Sequence, residues 1–169
     1  MDEQIEFVKE IARRLDGASI PYMLTGSLAM TVYAEPRMTR DIDLVVDAEV
    51  EDAHRLALLF SPDCYIDEDD VTDALARRSM FNVIHNQWLV KADFIIRKNT
   101  PYRQAEFSRR RRVDVAGTPV AICAREDLIL SKLYWARESG SDTQRRDAAQ
   151  LLLDAPDLDW PYMSRWAQT

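Results

Sequence analysis

The residues that decide the fold are Gly26-Ser27 and, after thirteen further residues, Asp41-Ile42-Asp43-Leu44-Val45-Val46. The apolar run at 20–25, which precedes Gly26, suits a buried strand, and residues 28–33 suit a short helix capped by Ser27. Residues 41–46 suit a second strand because acidic and apolar residues alternate at its start. The order is therefore strand, Gly-Ser turn, short helix, and a strand that opens with two aspartates.

This order brings together two groups that bind different parts of a phosphorylated ligand. Asp41 and Asp43 are two residues apart in a strand, so their carboxylates share one face, where a divalent cation would relieve their repulsion. Gly26-Ser27 at a strand-to-helix turn offers backbone N–H groups and a hydroxyl that can cradle a phosphate. A carboxylate pair opposite a phosphate cradle is what nucleotide chemistry requires. Each motif alone is common by chance, and their order supports a functional site.

The combination resembles the nucleotidyltransferase superfold related to DNA polymerase beta, which has a Gly-Ser or Gly-Gly pair, about a dozen residues, and an acidic-hydrophobic-acidic-hydrophobic strand start. Roughly residues 20–169 also resemble small bacterial proteins grouped with the abortive-infection nucleotidyltransferase toxins. That closer resemblance is carried by residues 37–44, 125–133, 144–147 and 158–167. The order of elements along the chain itself predicts one α+β domain over residues 1–169, with a mixed β-sheet flanked by helices (about 18–123) and a helical C-terminal tail (about 125–168).

The resemblance implies catalytic and metal-binding roles for three aspartates. Asp41 and Asp43 would bind Mg²⁺, which bridges the triphosphate of a nucleotide. The fold normally supplies a third carboxylate from a neighbouring strand, which helps to activate the incoming hydroxyl, and Asp93 is the candidate. The simpler interpretation of Asp93 is a strand-edge aspartate paired with Lys91 or Arg97.

The resemblance also implies a nucleotide-binding set. Ser27 and the Gly26 backbone would hold the β- and γ-phosphates. Lys132 would meet the phosphates from a helix, with Asp127 one and a half turns earlier and Asp147 as a neighbour, although most helical lysines are solvated. The phosphate side of the pocket would be lined by Arg37 and Thr39.

These residues predict an Mg²⁺-dependent nucleotidyltransferase that moves an NMP group from an NTP to an acceptor hydroxyl and releases pyrophosphate. The acceptor stays open between an RNA or tRNA end, a protein and a small molecule. The alternative is a non-catalytic nucleotide-binding or partner-binding module of a toxin–antitoxin type, with a cognate toxin or antitoxin protein as partner. A metal-dependent phosphatase or nuclease is less well supported, because Val45-Val46 follow the acidic pair instead of preceding it.

The charge distribution excludes a general DNA-coating protein. The net charge is −7, yet residues 97–112 carry seven basic side chains and one acidic side chain. Arg109 to Arg112 would suit a phosphate-rich acceptor, but a solvated edge strand is the simpler interpretation. The two cysteines, Cys64 and Cys123, exclude a disulfide scaffold, and no apolar run reaches the length of a membrane span. We therefore expect a cytoplasmic protein without a membrane partner.

The remaining segments predict further elements. Helices are expected over residues 3–16, 48–60, 69–79, 101–108, 127–137, 143–153 and 160–167. Strands are expected over residues 81–84 and 88–96, joined by a tight turn, and over the hairpin 111–115 and 119–123. The tryptophans and most methionines are expected to pack in the core.

Overall fold

The computed structural model describes residues 2–35, 39, 41–153 and 155–168, and it is built around one mixed β-sheet. The strands are β1 (Tyr22–Thr25), β2 (Ile42–Val46), β3 (Cys64–Tyr65), β4 (Met80–His85), β5 (Lys91–Ile96), β6 (Arg111–Val115) and β7 (Thr118–Ile122). The helices are α1 (Asp2–Gly17), α2 (Gly26–Met30), α3 (Ala53–Phe60), α4 (Glu68–Arg77), α5 (Pro101–Ser108), α6 (Arg125–Ser139), α7 (Asp142–Leu152) and α8 (Trp160–Trp166). The α+β class and the mixed sheet are as the sequence predicts.

The sheet has the order β3-β4-β5-β2-β1-β7-β6. The pairs β2–β5 and β1–β7 are parallel, and the other neighbours are antiparallel. In this register Thr25 lies opposite Asp43, Asp43 beside Asp93, and Asp93 opposite Asn82. Residues directly opposite each other project to the same face, so one row of polar side chains crosses the four central strands.

The core lies mainly on the other face of these strands. Residues Ile42, Leu44 and Val46 of β2 are buried, as are the alternate residues of β5. Helices α1 and α3 pack against this face, where Phe60 meets Phe94 edge-on at a centroid distance of 5.3 Å. Alternation therefore leaves Asp43 and Val45 on the face that carries the site.

The predicted elements are confirmed, with local differences. Ser27 lies within α2 and does not cap it, because the helix begins at Gly26 and Thr25 is the N-cap residue. The helix expected over 48–60 divides into a 3₁₀ turn (Val50–Asp52) and α3. Strand β5 begins at Lys91, so the turn after His85 is longer than expected. The two-residue strand β3 was not predicted.

Both cysteines are free and buried, Cys64 in β3 and Cys123 just after β7. Burial raises the pKa of the Cys64 thiol to about 12 and raises that of Cys123 well above its usual range. Thiolate is therefore scarce at both positions at neutral pH. Among the described helices, none combines the length and the apolar character that crossing a bilayer requires.

Candidate functional site

The site starts from a close approach between Gly26 and Asp43. Strands β1 and β2 pair antiparallel, so Asp43 stands beside the residue where β1 turns into α2. Gly26 has φ +67°, and a Cβ atom at this position would lie 2.0 Å from Asp43 Oδ2. Only glycine meets both conditions without strain, because it lacks a Cβ and adopts positive φ freely. The Gly-Ser turn and the acidic strand are therefore in direct contact.

Three aspartates gather at this end of the sheet. Asp43 and Asp93 are register neighbours on β2 and β5, and Asp41 lies just before β2. Lys91 connects two of them, since its Nζ is 3.0 Å from Asp93 Oδ1 and 3.9 Å from Asp41 Oδ1. Burial raises the pKa of Asp43, and the charges of Asp93 and Asp41 raise it further, while Lys132 and Lys91 lower it. The pair Lys91–Asp93 foreseen as the simpler interpretation is thus present beside Asp43.

Lys132, on α6, contacts the Gly26-Ser27 turn. It is 4% exposed on α6, and its Nζ donates to Ser27 Oγ at 3.2 Å and to Asp147 Oδ2 of α7 at 2.8 Å. A buried ammonium needs an acidic partner, which Asp147, itself buried, supplies. The family resemblance predicts that Lys132 meets the phosphates, and the structure places it in hydrogen-bond contact with the Gly-Ser turn.

A cleft of ≈ 320 Å³ opens from this turn. Its floor includes Val45 of β2 and Ile95 of β5, and its walls come from α5 and α6. Residues of the cleft that the sequence analysis did not single out for the site are Arg97, Lys98, Arg103, Glu106, Leu128, Ser131, Trp135 and Gln144. Trp135 carried a signal, because it lies three residues after Lys132 on one helix, and Ser131 lies four residues before Trp135. Arg103 and Glu106, the polar residues of α5 in the cleft, carried no such signal in the sequence.

Other predicted site residues lie elsewhere. Thr39 does not line the cleft, and its backbone carbonyl accepts a hydrogen bond from Gln4 Nε2 at 2.9 Å. Arg37 is outside the described residues. Asp127 does not line the cleft, and it accepts hydrogen bonds from Arg109 Nε at 3.1 Å and from the Tyr162 hydroxyl at 2.5 Å. Asp127 therefore serves the packing of α8.

The arginine run has divided roles. Arg109 reaches the buried Asp127 and also Glu126, at 3.2 Å, and its guanidinium lies over the Tyr162 ring. Arg112 pairs with Asp16, and Arg110 donates to the Phe107 carbonyl. The edge-strand interpretation fits Arg111 and Arg112, since β6 ends the sheet, but not Arg109, which binds buried acids.

Replacing Arg109 by Met is expected to destabilise the protein by about 2–3 kcal/mol, because Asp127 and Glu126 would stay buried without their guanidinium. Chemical denaturation measures this loss. The matched control is Arg112→Met, whose partner Asp16 is partly exposed, so a change below about 1 kcal/mol is expected. If both variants lost the same free energy of unfolding, Arg109 would stabilise the protein no more than a residue in a surface ion pair does.

A second set of metal-ligand groups lies across the sheet. Among the described residues, ligand atoms of Glu10, Asp63 and His85 all lie within 4.8 Å of one another, which is closer than those of Asp41, Asp43 and Asp93. Arg14 already donates to Asp63 at 2.8 Å and to Glu10 at 3.2 Å. These ligand atoms suit a cation, and the Arg14 guanidinium already offsets part of the negative charge of the two carboxylates.

Solved structures provide the comparison with known proteins. A crystal structure of an antigenic nucleotidyltransferase-like protein from Paracoccidioides brasiliensis matches with TM-score 0.65 and 21% identity, over 89% of this chain and 76% of that one. ANT(2'')-Ia, crystallised with adenylyl-2''-tobramycin, matches with TM-score 0.64 and 16% identity, over 98% and 95% of the two chains. The lincosamide antibiotic adenylyltransferase LnuA, bound to lincomycin, matches with TM-score 0.56 and 11% identity, over 89% and 96%.

No family model and no curated protein sequence matches the chain. At these low identities the likeness is one of fold, and it shows that the chain has the nucleotidyltransferase fold. The fold named from Gly26-Ser27 and the acidic strand is therefore confirmed. The closer resemblance to abortive-infection toxins stays a prediction.

Proposed function

We propose that the chain is an Mg²⁺-dependent nucleotidyltransferase that moves an NMP group from an NTP to an acceptor hydroxyl. One observation carries the proposal: Asp43, with Asp41 and Asp93 beside it, abuts a Gly26-Ser27 turn to which Lys132 is hydrogen-bonded. Asp43 and the Gly26-Ser27 turn thus line the same cleft, and Asp93 lies beside Asp43 in the sheet. A purely structural role would not need a glycine whose missing Cβ makes room for a carboxylate.

The donor set fits a hard divalent cation. Asp41, Asp43 and Asp93 offer only carboxylate oxygens, which Mg²⁺ prefers. Burial, and then the charges of Asp93 and Asp41, raise the pKa of Asp43, and the Lys91 ammonium offsets part of the negative charge. The three aspartates would hold Mg²⁺, which would neutralise the triphosphate and lower the pKa of the attacking hydroxyl.

The chain's own groups account for the rest of the reaction. Ser27, the Gly26 backbone and Lys132 would bind the β- and γ-phosphates and neutralise the leaving group. Asp93, held by hydrogen bonds from Lys91 and Asn82, would take the proton of the acceptor hydroxyl. The acceptor oxygen then bonds to the α-phosphorus while the bond from that phosphorus to the β-phosphate oxygen breaks, and pyrophosphate leaves.

The acceptor class rests on the comparisons and the sequence. ANT(2'')-Ia and LnuA were crystallised with an adenylylated antibiotic and with an antibiotic. A small hydroxyl compound is therefore one acceptor within the proposal, beside an RNA end and a protein side chain. The proposal includes a cytoplasmic location, which rests on the composition of the sequence, and a cognate toxin or antitoxin partner, which rests on the sequence resemblance.

A non-catalytic nucleotide-binding module is the second candidate, and Lys91 favours it. The Lys91 ammonium lies between Asp93 and Asp41, so the lysine could take the place of Mg²⁺ beside these carboxylates. Metal dependence distinguishes the two functions. Binding of an NTP that is unchanged by chelation of Mg²⁺ would favour the module.

Calorimetric titration of each NTP with Mg²⁺ tests the first function. Wild type is expected to bind at least one NTP, and Asp41→Ala/Asp43→Ala is expected to lose at least about 100-fold in affinity, because the metal ligands are gone. Release of pyrophosphate with hydroxyl compounds, RNA and proteins then identifies the acceptor. The control is Asp69→Ala/Asp70→Ala, which removes equal charge from the exposed start of α4. Equal NTP binding by both double variants would disprove the proposal.

A further inference from the structure

Trp135 is placed unlike a core tryptophan. It lines the cleft from α6, 51% of its surface is exposed, and its recorded ring contact is the edge of Tyr134 at 5.4 Å. The expectation that the tryptophans pack in the core is therefore wrong for Trp135, and also for Trp160, which is 56% exposed on α8. Exposing half of an indole forgoes hydrophobic stabilisation that a ligand in the cleft would restore.

The position of Trp135 relative to Lys132 matters. The two residues are three apart on one helix, which puts their Cβ atoms about 5–6 Å apart. Lys132 points to Ser27, at the phosphate end, and Trp135 stands nearly one turn further along the same wall. The nearby floor is apolar, since Val45 and Ile95 form it. Next to Lys132 the cleft thus offers an aromatic side chain and an apolar floor, while Arg97, Lys98, Arg103 and Glu106 also line it.

Gln144, on the first turn of α7, lines the same cleft. Its Oε1 atom is buried and has no hydrogen-bond partner within the part of the chain that the structure describes. A buried acceptor without a donor costs about 1–3 kcal/mol. Rotation about the last side-chain bond would turn this oxygen towards a donor in the cleft.

We propose that the base of the NTP stacks on the Trp135 indole and donates a hydrogen bond to the Gln144 amide. The inference rests on the proposed function, and it fixes the direction in which the nucleotide lies: the triphosphate at Gly26, Ser27 and Lys132, the base towards the α6–α7 hairpin. An aromatic face accepts any base, and the Gln144 oxygen can accept a hydrogen bond from an exocyclic amino group or from a ring N–H, so each of the four MgNTPs should bind.

Calorimetric titration with each MgNTP and with Mg²⁺-tripolyphosphate tests the inference, because tripolyphosphate occupies the phosphate end without a base. Trp135→Ala is expected to weaken NTP binding roughly tenfold and to leave tripolyphosphate binding unchanged. Trp135→Phe keeps an aromatic face and should retain most of the affinity. Gln144→Leu should weaken NTP binding roughly fivefold.

Trp160→Ala is the matched control, since Trp160 is 56% exposed on α8 and does not line the cleft. NTP binding by Trp135→Ala at the wild-type level would overturn the inference, as would an equal loss of tripolyphosphate binding. If wild type bound tripolyphosphate and bound no NTP with higher affinity than tripolyphosphate, base binding at Trp135 and Gln144 would be refuted. Phosphate binding at Gly26, Ser27 and Lys132 would still be supported. Suppose that binding depends on the base but that the NTP releases no pyrophosphate with any acceptor. This result would support base binding at Trp135 and Gln144 and refute the transfer activity.

Discussion

Replacing Lys132 by Met is expected to remove transfer and to weaken the fold. Transfer should fall by roughly 10²–10³-fold, because the ammonium that lies on Ser27 would no longer bind the developing charge of the leaving pyrophosphate. The free energy of unfolding should fall by about 3–4 kcal/mol, since Asp147 keeps its charge in a buried position without the lysine. Pyrophosphate release and chemical denaturation measure the two losses.

A second variant separates the two effects. Lys132→Met/Asp147→Leu removes both charges of the buried pair, and apolar replacements of such a pair are often neutral for stability. The double variant is therefore expected to regain most of the lost stability and none of the transfer. Recovery of transfer together with stability would mean that Lys132 acts by holding α6 in place and not by binding phosphate.

Replacing Gly26 by Ala is expected to have the next largest effect. The new Cβ would lie 2.0 Å from Asp43 Oδ2 and 2.7 Å from its Cγ, so the carboxylate or β1 has to move. Because the new Cβ collides with Asp43 and the backbone has positive φ, we expect the free energy of unfolding to fall by about 2–4 kcal/mol. Displacement of Asp43 should also lower Mg²⁺-dependent NTP binding at least about tenfold, as measured by calorimetry.

Gly140→Ala is the control that isolates the contact. Gly140 ends α6 at φ +68°, nearly the φ of Gly26, but a Cβ there would have nothing within 4 Å. Alanine at this positive φ is expected to lower the free energy of unfolding by about 1 kcal/mol and to leave NTP binding unchanged. If the two alanine variants lost equal stability and Gly26→Ala still bound NTP normally, the close approach of Asp43 would carry no function.

The fold was predictable to the extent that it depends on local patterns. Alternation in residues 41–46 identifies β2, and helical spacing identifies α1 and the C-terminal helices. Two features depend on tertiary pairing instead. Strand β3 has two residues and exists because it pairs with the end of β4. The apolar segment 88–90 resembles a strand, but it belongs to the turn before β5, where Leu89 has φ +53°.

The part of the site around Gly26, Ser27 and Asp43 was more predictable from the sequence than the rest of the site. Gly26, Ser27 and Asp43 form a motif in the chain, and their contact follows from pairing β1 with β2. Lys132 required the family resemblance, because no local pattern tells a buried lysine from a solvated one. Arg103, Glu106 and Gln144 enter the cleft through the way α5 and α7 pack, which leaves no periodic signal in the sequence.

The protected state of Cys64 and Cys123 makes the chain suitable for site-directed labelling. Thiol-reactive dyes attack thiolate, and neither native cysteine presents any appreciable amount of it at its buried position. A single cysteine introduced on the rim of the cleft would therefore accept a fluorophore or spin label without prior removal of the native ones. Movement of the cleft walls around a nucleotide becomes observable in an otherwise unaltered molecule.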